Sequence, residues 1–422
     1  MSVEKLIANK ITNPSKSKNN ISKPIVKIGI IGIVLGVSVM LLTTSIVLGF
    51  KHEIINKITG LTTHIAISNI NVNPSNEPEP IKISTDTLEV IKQIPNVKHI
   101  QVTASKSGIL KTETQNEGVI LRGVNKHYDF SFISKYMQEG KLPDFTDTET
   151  SKQILISRAL ADKLDLKLNQ KLLIYFVSQH TFFDSLANTM ITKYEQRSRS
   201  LTICGIFKTN FADFDDNLTF VDIKQIQRLN YWESLQVANY ELKVNDFEKN
   251  DQTIAQVQDI LGYNYTVSSV KETYSNIFIW LEKLDINGII IIVLMIIVAT
   301  INMITALLIL ILERANMVGL IKTLGMSNVS VRKIFLYISL KLIARGLFWG
   351  NIVGIGLCLL QYYFRIIKLN AETYYVDYVV IEINWLYVLL LNSGTFITCL
   401  LMLFLPTLIL TKLTPIKTLK FD

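Results

Sequence analysis

Residues 313–333, "ERANMVGLIKTLGMSNVSVRK", separate two of the most apolar segments of a 422-residue chain. A chain that only reversed direction between two membrane helices would need a handful of residues. This segment is amphipathic instead. Met317, Leu320, Ile321 and Leu324 recur at i, i+3, i+4 and i+7, forming one apolar helix face, with Arg314 and Lys322 off it. Gly325 stands where a helix ends in a left-handed residue, and Ser327 or Asn328 can cap the next helix. The spacing predicts a short helix distinct from the runs on either side. Periodicity leaves two readings open: a helix resting on lipid headgroups, or one docked on a cytosolic partner. Gly319 favours docking, because it leaves room for a close neighbour.

The flanking runs set the architecture. Four uncharged stretches are long enough to cross a bilayer at about 1.5 Å per residue: 28–50, 286–312, 346–364 and 383–411. Lys341 and Arg345 precede the third, one turn apart on one face, and are placed at the cytoplasmic interface. The third helix therefore begins near Ser327, and its span is taken as 334–364. A mean hydropathy of +0.31 with only 18% charged residues fits a membrane protein. Gly346, Gly350 and Gly354 recur every four residues, and Gly32 and Gly36 do so in the first run. Such ridges suit close helix packing, in a bundle or at a dimer seam. Pro406 is expected to kink the fourth span.

The net charge of +8 could point to nucleic acid, but its distribution excludes that reading. Six lysines against one glutamate occupy residues 1–27; Arg314, Lys322, Arg332 and Lys333 occupy 313–333; Lys412, Lys417 and Lys420 lie in the tail. The excess flanks apolar runs and sets topology. The first run is too long for a signal peptide and is followed by no small-residue cleavage pattern, so it is an anchor. Residues 1–27, 313–333 and 412–422 are expected in the cytoplasm, and 51–285 and 365–382 outside it. The 51–285 portion mixes patterns. "HIAISNINV" alternates like a strand, "TDTLEVIKQIPNVKHIQVTA" reads as helix then strand, "QILISRALADKLDLKL" as strand then helix, and "LTICGIF" as a strand. "NPSNEPEP" and "DFTDTETS" read as loops.

No catalytic constellation stands out. There is no phosphate-cradling Gly-rich loop with a Lys-Ser/Thr, no His-Glu-x-x-His and no Cys-x-x-Cys. The five histidines lack ligand spacing, and the three cysteines form no disulfide framework. "DFDD" at 213–216 reads as a solvated turn rather than a cation site. No catalytic residue and no metal are expected.

"ERANMVGLIKTLGMSNVSVRKIF" resembles the signature of FtsX-like ABC permeases, in which such a stretch surrounds a cytoplasmic coupling helix. Similarity to the lipoprotein-releasing, Lol-type permeases of the MacB-like superfamily extends along nearly the whole chain. It includes "GFKHEIINKITGLTTHIAI", "GVILRGV", "ILISRALADKLDLKLNQKL", "GIFKTNFADFD", "LEKLDINGIIIIVLMIIVATINMITALLI" and "LPTLILTKLTPIKTLKFD".

The resemblance implies four transmembrane helices and a large α/β periplasmic domain. A porter-like lobe would combine 62–105 with 217–270, and an inserted β-rich sabre lobe would span 106–216. It also implies a permease that binds no cofactor and is driven by a cytosolic ABC ATPase dimer carrying ATP and Mg. A second permease, a lipoprotein substrate, a LolA-like periplasmic chaperone and membrane lipid would complete its partners. Glu313, Arg314, Met317, Gly319, Leu320, Lys322, Leu324 and Gly325 would form the ATPase-coupling helix. Helical extensions of the first two spans would carry its motion outward. A hook in some relatives corresponds by location to 176–200, where Phe182 and Phe183 would contact the chaperone. Asn316 replaces a frequent acidic residue, and Val380 a frequent proline. Two rival functions belong to related permeases: macrolide or toxin export, and switching of periplasmic wall hydrolases by cell-division scaffolds. The first usually carries its ATPase on the same chain, and the second has a much smaller outside domain.

Overall fold

The computed structural model describes residue 5 and residues 22–71, 78–113, 115–146, 148–184 and 189–403. Five helices carry the membrane architecture: α1 (Ser22–Leu61), α2 (Ser275–Glu313), the short α3 (Ala315–Thr323), α4 (Asn328–Phe364) and α5 (Trp385–Met402). All but α3 are long and apolar enough to cross a membrane. Helix α1 continues past Phe50 to Leu61, and α2 begins before the apolar run, at Ser275. Residues 404–411 with Pro406, the 412–422 tail and most of 1–27 lie outside the described residues.

The chain divides into two compact units. One holds the described residues up to His52, Trp280–Lys368 and those from Tyr378 onward; the other holds Glu53–Ile279 and Leu369–Asp377.

In the first unit the glycines set the helix spacing. A Cβ on Gly346, Gly350 or Gly354 of α4 would lie 2.6, 2.8 and 3.0 Å from Ile33, Val37 and Leu41 of α1. On α1, a Cβ at Gly29 or Gly32 would lie 2.7 and 2.6 Å from Ala306 and Asn302 of α2, and at Gly36 3.4 Å from Ala299. Both glycine series are thus used inside one chain, against α1's two neighbours, and neither is left over for a dimer seam. Backbone approach without side chains between is how helices gain contact where lipid is as apolar as leucine. Polar bonds add to it: Ser38 Oγ donates to the Gly350 carbonyl at 3.0 Å, and the amides of Asn351 and Asn392 bond reciprocally at 2.7 and 2.9 Å.

The second unit is built on a ten-stranded sheet: β1 (Ile65–Asn69), β2 (Val97–Lys111), β3 (Asn116–Val124), β4 (Met137–Gly140), β5 (Gln153–Ser157), β6 (Lys171–Asp184), β7 (Thr189–Phe207), β8 (Leu218–Asp222), β9 (Asn239–Val244) and β10 (Tyr265–Ser269). The order is β10-β1-β9-β2-β3-β8-β5-β7-β4, with β6 paired to β2 and β7. Apolar residues alternate inward and form one core from Ile65 to Val267.

Strands run across the boundary expected between the two lobes. The 105/106 boundary falls inside β2, which is one continuous strand, and β8, assigned to the porter-like lobe, lies between β3 and β5 of the inserted segment. Buried charge also crosses the boundary. Arg122 donates to both oxygens of Glu241 at 2.6 and 2.8 Å, Gln101 and Thr103 donate to the same carboxylate, and Lys243 donates to Asp129. Hydrogen bonds from Lys243 and Ser131 outweigh the upward push of burial and hold the Asp129 carboxyl well below its usual range.

The 365–382 stretch, expected as a plain outside loop, is divided between the units. Leu369–Asp377 folds with the sheet unit, while Lys368 and Tyr378 form an antiparallel bridge at its base.

Candidate coupling site

Helix α3 is short because its ends are specified on both sides. Gly325 adopts φ +92°, where only glycine sits without strain. Its amide donates to the Lys322 carbonyl at 3.0 Å, and the Met326 amide donates to Ile321 at 3.2 Å. That pair of bonds is a Schellman stop. Ser327 then caps α4, its Oγ accepting from the Ser330 amide at 3.3 Å.

Of the residues assigned to coupling, Leu320 and Leu324 are 56% and 80% exposed. Glu313 is also exposed, Arg314, Met317, Ile321 and Lys322 are half-buried, and Gly319 is buried. The inward face is carried by Val318, in one cluster with Leu307, Val331 and Phe335. Gly319, expected to leave room for a close neighbour, is thus covered within the chain. The i, i+3, i+4, i+7 stripe is not the buried face either. A two-turn helix tethered closely to α2 and α4 presents the side its connections dictate, which leaves two leucines outward. Exposed apolar residues on a helix of this size form a small docking surface.

Sequence reading missed a cavity of about 470 Å³ in the first unit. Thr44, Val47 and Leu48 of α1, Ile289, Ile292 and Ile296 of α2, and Leu390 and Leu391 of α5 line it. Lys51 and Asp285, paired at 2.5 Å, also border it, with Tyr387. Such a slot accepts an apolar chain and offers polar groups at its border. The available signal was the absence of side chains at Gly288 and Gly394, both of which line it.

The 176–200 stretch is a long antiparallel hairpin of β6 and β7, in register from Lys171↔Thr202 to Asp184↔Thr189. Phe182 and Phe183 pair with Ile191 and Met190 near its tip, and their side chains lie outside the described residues.

The "DFDD" stretch, expected as a solvated turn, is instead a helical turn (Ala212–Asp215) with Asp215 buried. Buried Asp215 accepts from the Thr209 amide and hydroxyl and from the Asn210 amide. Burial raises its pKa against those bonds. Burial likewise pushes the Cys204 thiol up to about 11, which leaves it a poor nucleophile. Among the described residues no group of three or more His, Cys, Asp or Glu is placed to hold a metal ion.

Comparison with known proteins places this architecture. The chain is 23% identical over 416 residues to the lipoprotein-releasing system transmembrane protein LolE of Haemophilus influenzae, covering 96% of each. It is 24% identical over 391 residues to LolC of Buchnera aphidicola, covering 89% of this chain and 90% of that one. The crystal structure of the periplasmic region of MacB from Actinobacillus actinomycetemcomitans matches 52% of this chain and 95% of its own at 12% identity, with a TM-score of 0.34. The FtsX-like permease C-terminal model matches residues 289–415, and the MacB-like periplasmic core domain model matches 28–260. The latter covers more than half of the 422 residues, and this multi-pass membrane chain therefore belongs to the family of FtsX-like permeases with a MacB-like periplasmic core domain.

Proposed function

We propose that the chain is a permease subunit of a lipoprotein-releasing ABC transporter in the bacterial inner membrane. The observation that carries this is the end-to-end match to a lipoprotein-releasing transmembrane protein, 96% of both chains. The basic N-terminus and the basic 313–333 segment lie in the cytoplasm by the excess of positive charge, and the sheet unit lies outside. The chain has no phosphate-cradling loop of its own, so the energy source is a separate ATPase dimer holding ATP and Mg. That ATPase docks on α3 through Leu320 and Leu324.

Lifting an acyl chain from hydrocarbon into water costs about 0.8 kcal/mol per CH₂, so release needs both a driven step and a sheltered path. The cavity lined by α1, α2 and α5 gives such a path, open to an acyl chain and bordered by the Lys51–Asp285 pair. Helices α1 and α2 run past their apolar segments and carry motion to the sheet unit. There the β6–β7 hairpin, with Phe182 and Phe183 near its tip, meets a LolA-like chaperone that takes the released protein. A second permease, a copy of this chain or a sister subunit, completes the transporter.

Replacing both Leu320 and Leu324 with Asp puts two charges on the docking face and is expected to abolish co-purification of the ATPase while membrane insertion stays normal. Unchanged co-purification would sink the role of α3. For the function as a whole, the native chain reconstituted with its ATPase and the second permease is expected to transfer a lipoprotein to a soluble acceptor only when ATP is present. ATP hydrolysis without transfer would refute it.

A further inference from the structure

Lys57 lies on the part of α1 that belongs to the sheet unit, and it is only 4% exposed. Its ammonium donates to the carbonyls of Thr209 and Tyr375, each at 2.8 Å. Those acceptors lie 152 and 318 residues away in sequence, in segments joined by no strand pairing. Desolvation lowers the Lys57 pKa, while Glu53, Asp377 and Asp215 pull it upward. Filling this space with Leu or Met would avoid that desolvation, so the ammonium is present for what it bonds.

The bonded segments are built to meet it. Asp215 fixes the turn that offers the Thr209 carbonyl, through the Thr209 and Asn210 amides. Asn210 donates to Asp377 at 2.5 Å, and the Phe211 ring stacks on Tyr375 at 4.3 Å and 16°. Tyr375 holds left-handed backbone, φ +61°, a conformation a bulky residue keeps only when its surroundings impose it; Asn210, φ +58°, is a residue type that adopts it readily. Leu369–Asp377, which includes the helical turn Ala371–Tyr374, is the middle of the connection between α4 and α5, closed at its base by the Lys368–Tyr378 bridge. Its far end is therefore gripped by groups on α1 and on the 209–215 turn.

We infer that Lys57 is a positioning residue for transport: it clasps the α4–α5 connection to α1 and the 209–215 turn, so that the third and fourth spans drive the sheet unit as well as the first two. The inference rests on the reading above that ATP-driven movement of the spans powers release. Without the clasp, α4 and α5 still respond to the ATPase but no longer pull on the domain, and hydrolysis runs ahead of transfer.

The test uses the full transporter in lipid nanodiscs, native and Lys57→Met. In the variant, amide hydrogen exchange of residues 369–377 is expected to speed up at least about tenfold. ATP hydrolysis should stay within about twofold of native while lipoprotein transferred per ATP falls at least about tenfold. Adding Asn210→Cys and Asp377→Cys to the variant and joining them with a short bifunctional thiol reagent should restore transfer per ATP; the native cysteines are buried. Unchanged exchange, unchanged transfer per ATP, or failure of the cross-link to restore coupling would each overturn the clasp. A merely structural role would lower hydrolysis and transfer together. Asn210→Gly, which keeps Lys57 and suits the left-handed backbone, gives a milder change in the same direction, and no change in either variant's exchange is likewise fatal. The exchange measurement needs no cargo. A native complex that hydrolyses ATP without transferring lipoprotein thus refutes the transport reading, while the exchange result still decides the clasp.

Discussion

The helical unit and the sheet unit are held together by opposite means. In the first, α1 meets α2 and α4 across glycines, with Ser38 and the Asn351–Asn392 pair as its polar bonds. Large apolar side chains such as Ile290 and Leu294 face outward. In the second, apolar strands bury one continuous core, and an Arg–Glu pair sits inside it. The difference follows from the solvent. Burying leucine against leucine gains little where the alternative is lipid, so shape fit decides. A sheet in water has hydrophobic burial in surplus and can hold desolvated charges that fix strand neighbours.

The largest effect should come from breaking that buried pair. Arg122→Met strands the Glu241 carboxylate on Gln101 and Thr103 alone, and such a loss costs about 3–5 kcal/mol. Denaturant melting of the purified chain with Trp280, Trp349 and Trp385 replaced by Phe, read by the fluorescence of Trp232 against the sheet core, should show it. Adding Glu241→Met should recover more than half of the loss, because removing both charges leaves neither unpaired. If the double variant is no better than the single, the pair is more than a neighbour-fixing device.

Overpacking is the matching break in the helical unit. Gly346→Leu drives a side chain into Ile33, whose Cγ2 lies 2.6 Å from the first added atom, and is expected to cost about 1–3 kcal/mol. Thermal aggregation in detergent should begin earlier, with the Trp232 transition unmoved. Ile33→Ala in the same chain should restore most of it. A shift in the Trp232 transition would show that the two units do not melt separately.

What was legible in the sequence follows the same division. The four apolar runs, the stop at Gly325 and the cap at Ser327 are local signals, and among the described residues each lies in or at the end of a helix. The glycine spacing announced close packing but could not name the partner, since a ridge reads the same toward Ile33 as toward another copy. Strand neighbours were illegible for a different reason. β8 pairs with β3 and β5, residues far away in sequence, and nothing in "NLTFVD" specifies that. Lys57 passed unnoticed because its partners are main-chain carbonyls, which have no letter in the sequence.

A smaller, pH-dependent effect separates the units again. His64 stacks tilted on Phe247, and burial together with the fields of Lys243 and Lys98 lowers its pKa to about 4. The unfolded chain binds that proton near pH 6.5, so it holds more protons than the fold between 6.5 and about 4. Stability of the sheet unit is therefore flat above pH 6.5 and falls as pH drops through that window, by about 2 kcal/mol between pH 6.5 and 5. Trp232-monitored melts between pH 7 and 5 should follow this slope, and His64→Phe should flatten it. An undiminished slope in the variant would assign the dependence to other groups.

The smallest effects come from two serines doing the same job in different surroundings. Ser269 caps the helical turn Val270–Thr273 from a buried position: its Oγ accepts from the Lys271 amide and the Asn250 side chain, and the Glu272 carboxylate closes the capping box by accepting from the Ser269 amide. Ser327 caps α4 from an exposed one, with the Ser330 amide as its main-chain donor. A cap is worth about 1 kcal/mol, but water replaces a lost exposed cap and not a buried one. Ser269→Ala should cost about 2 kcal/mol in the Trp232 transition, because the Asn250 amide also loses its closer acceptor and keeps only the His64 carbonyl at 3.4 Å. Ser327→Ala should cost about 0.5 kcal/mol and leave ATPase co-purification intact, since the Schellman stop still ends α3. Equal costs would mean that helix initiation alone, and not the solvent around it, sets what each cap contributes.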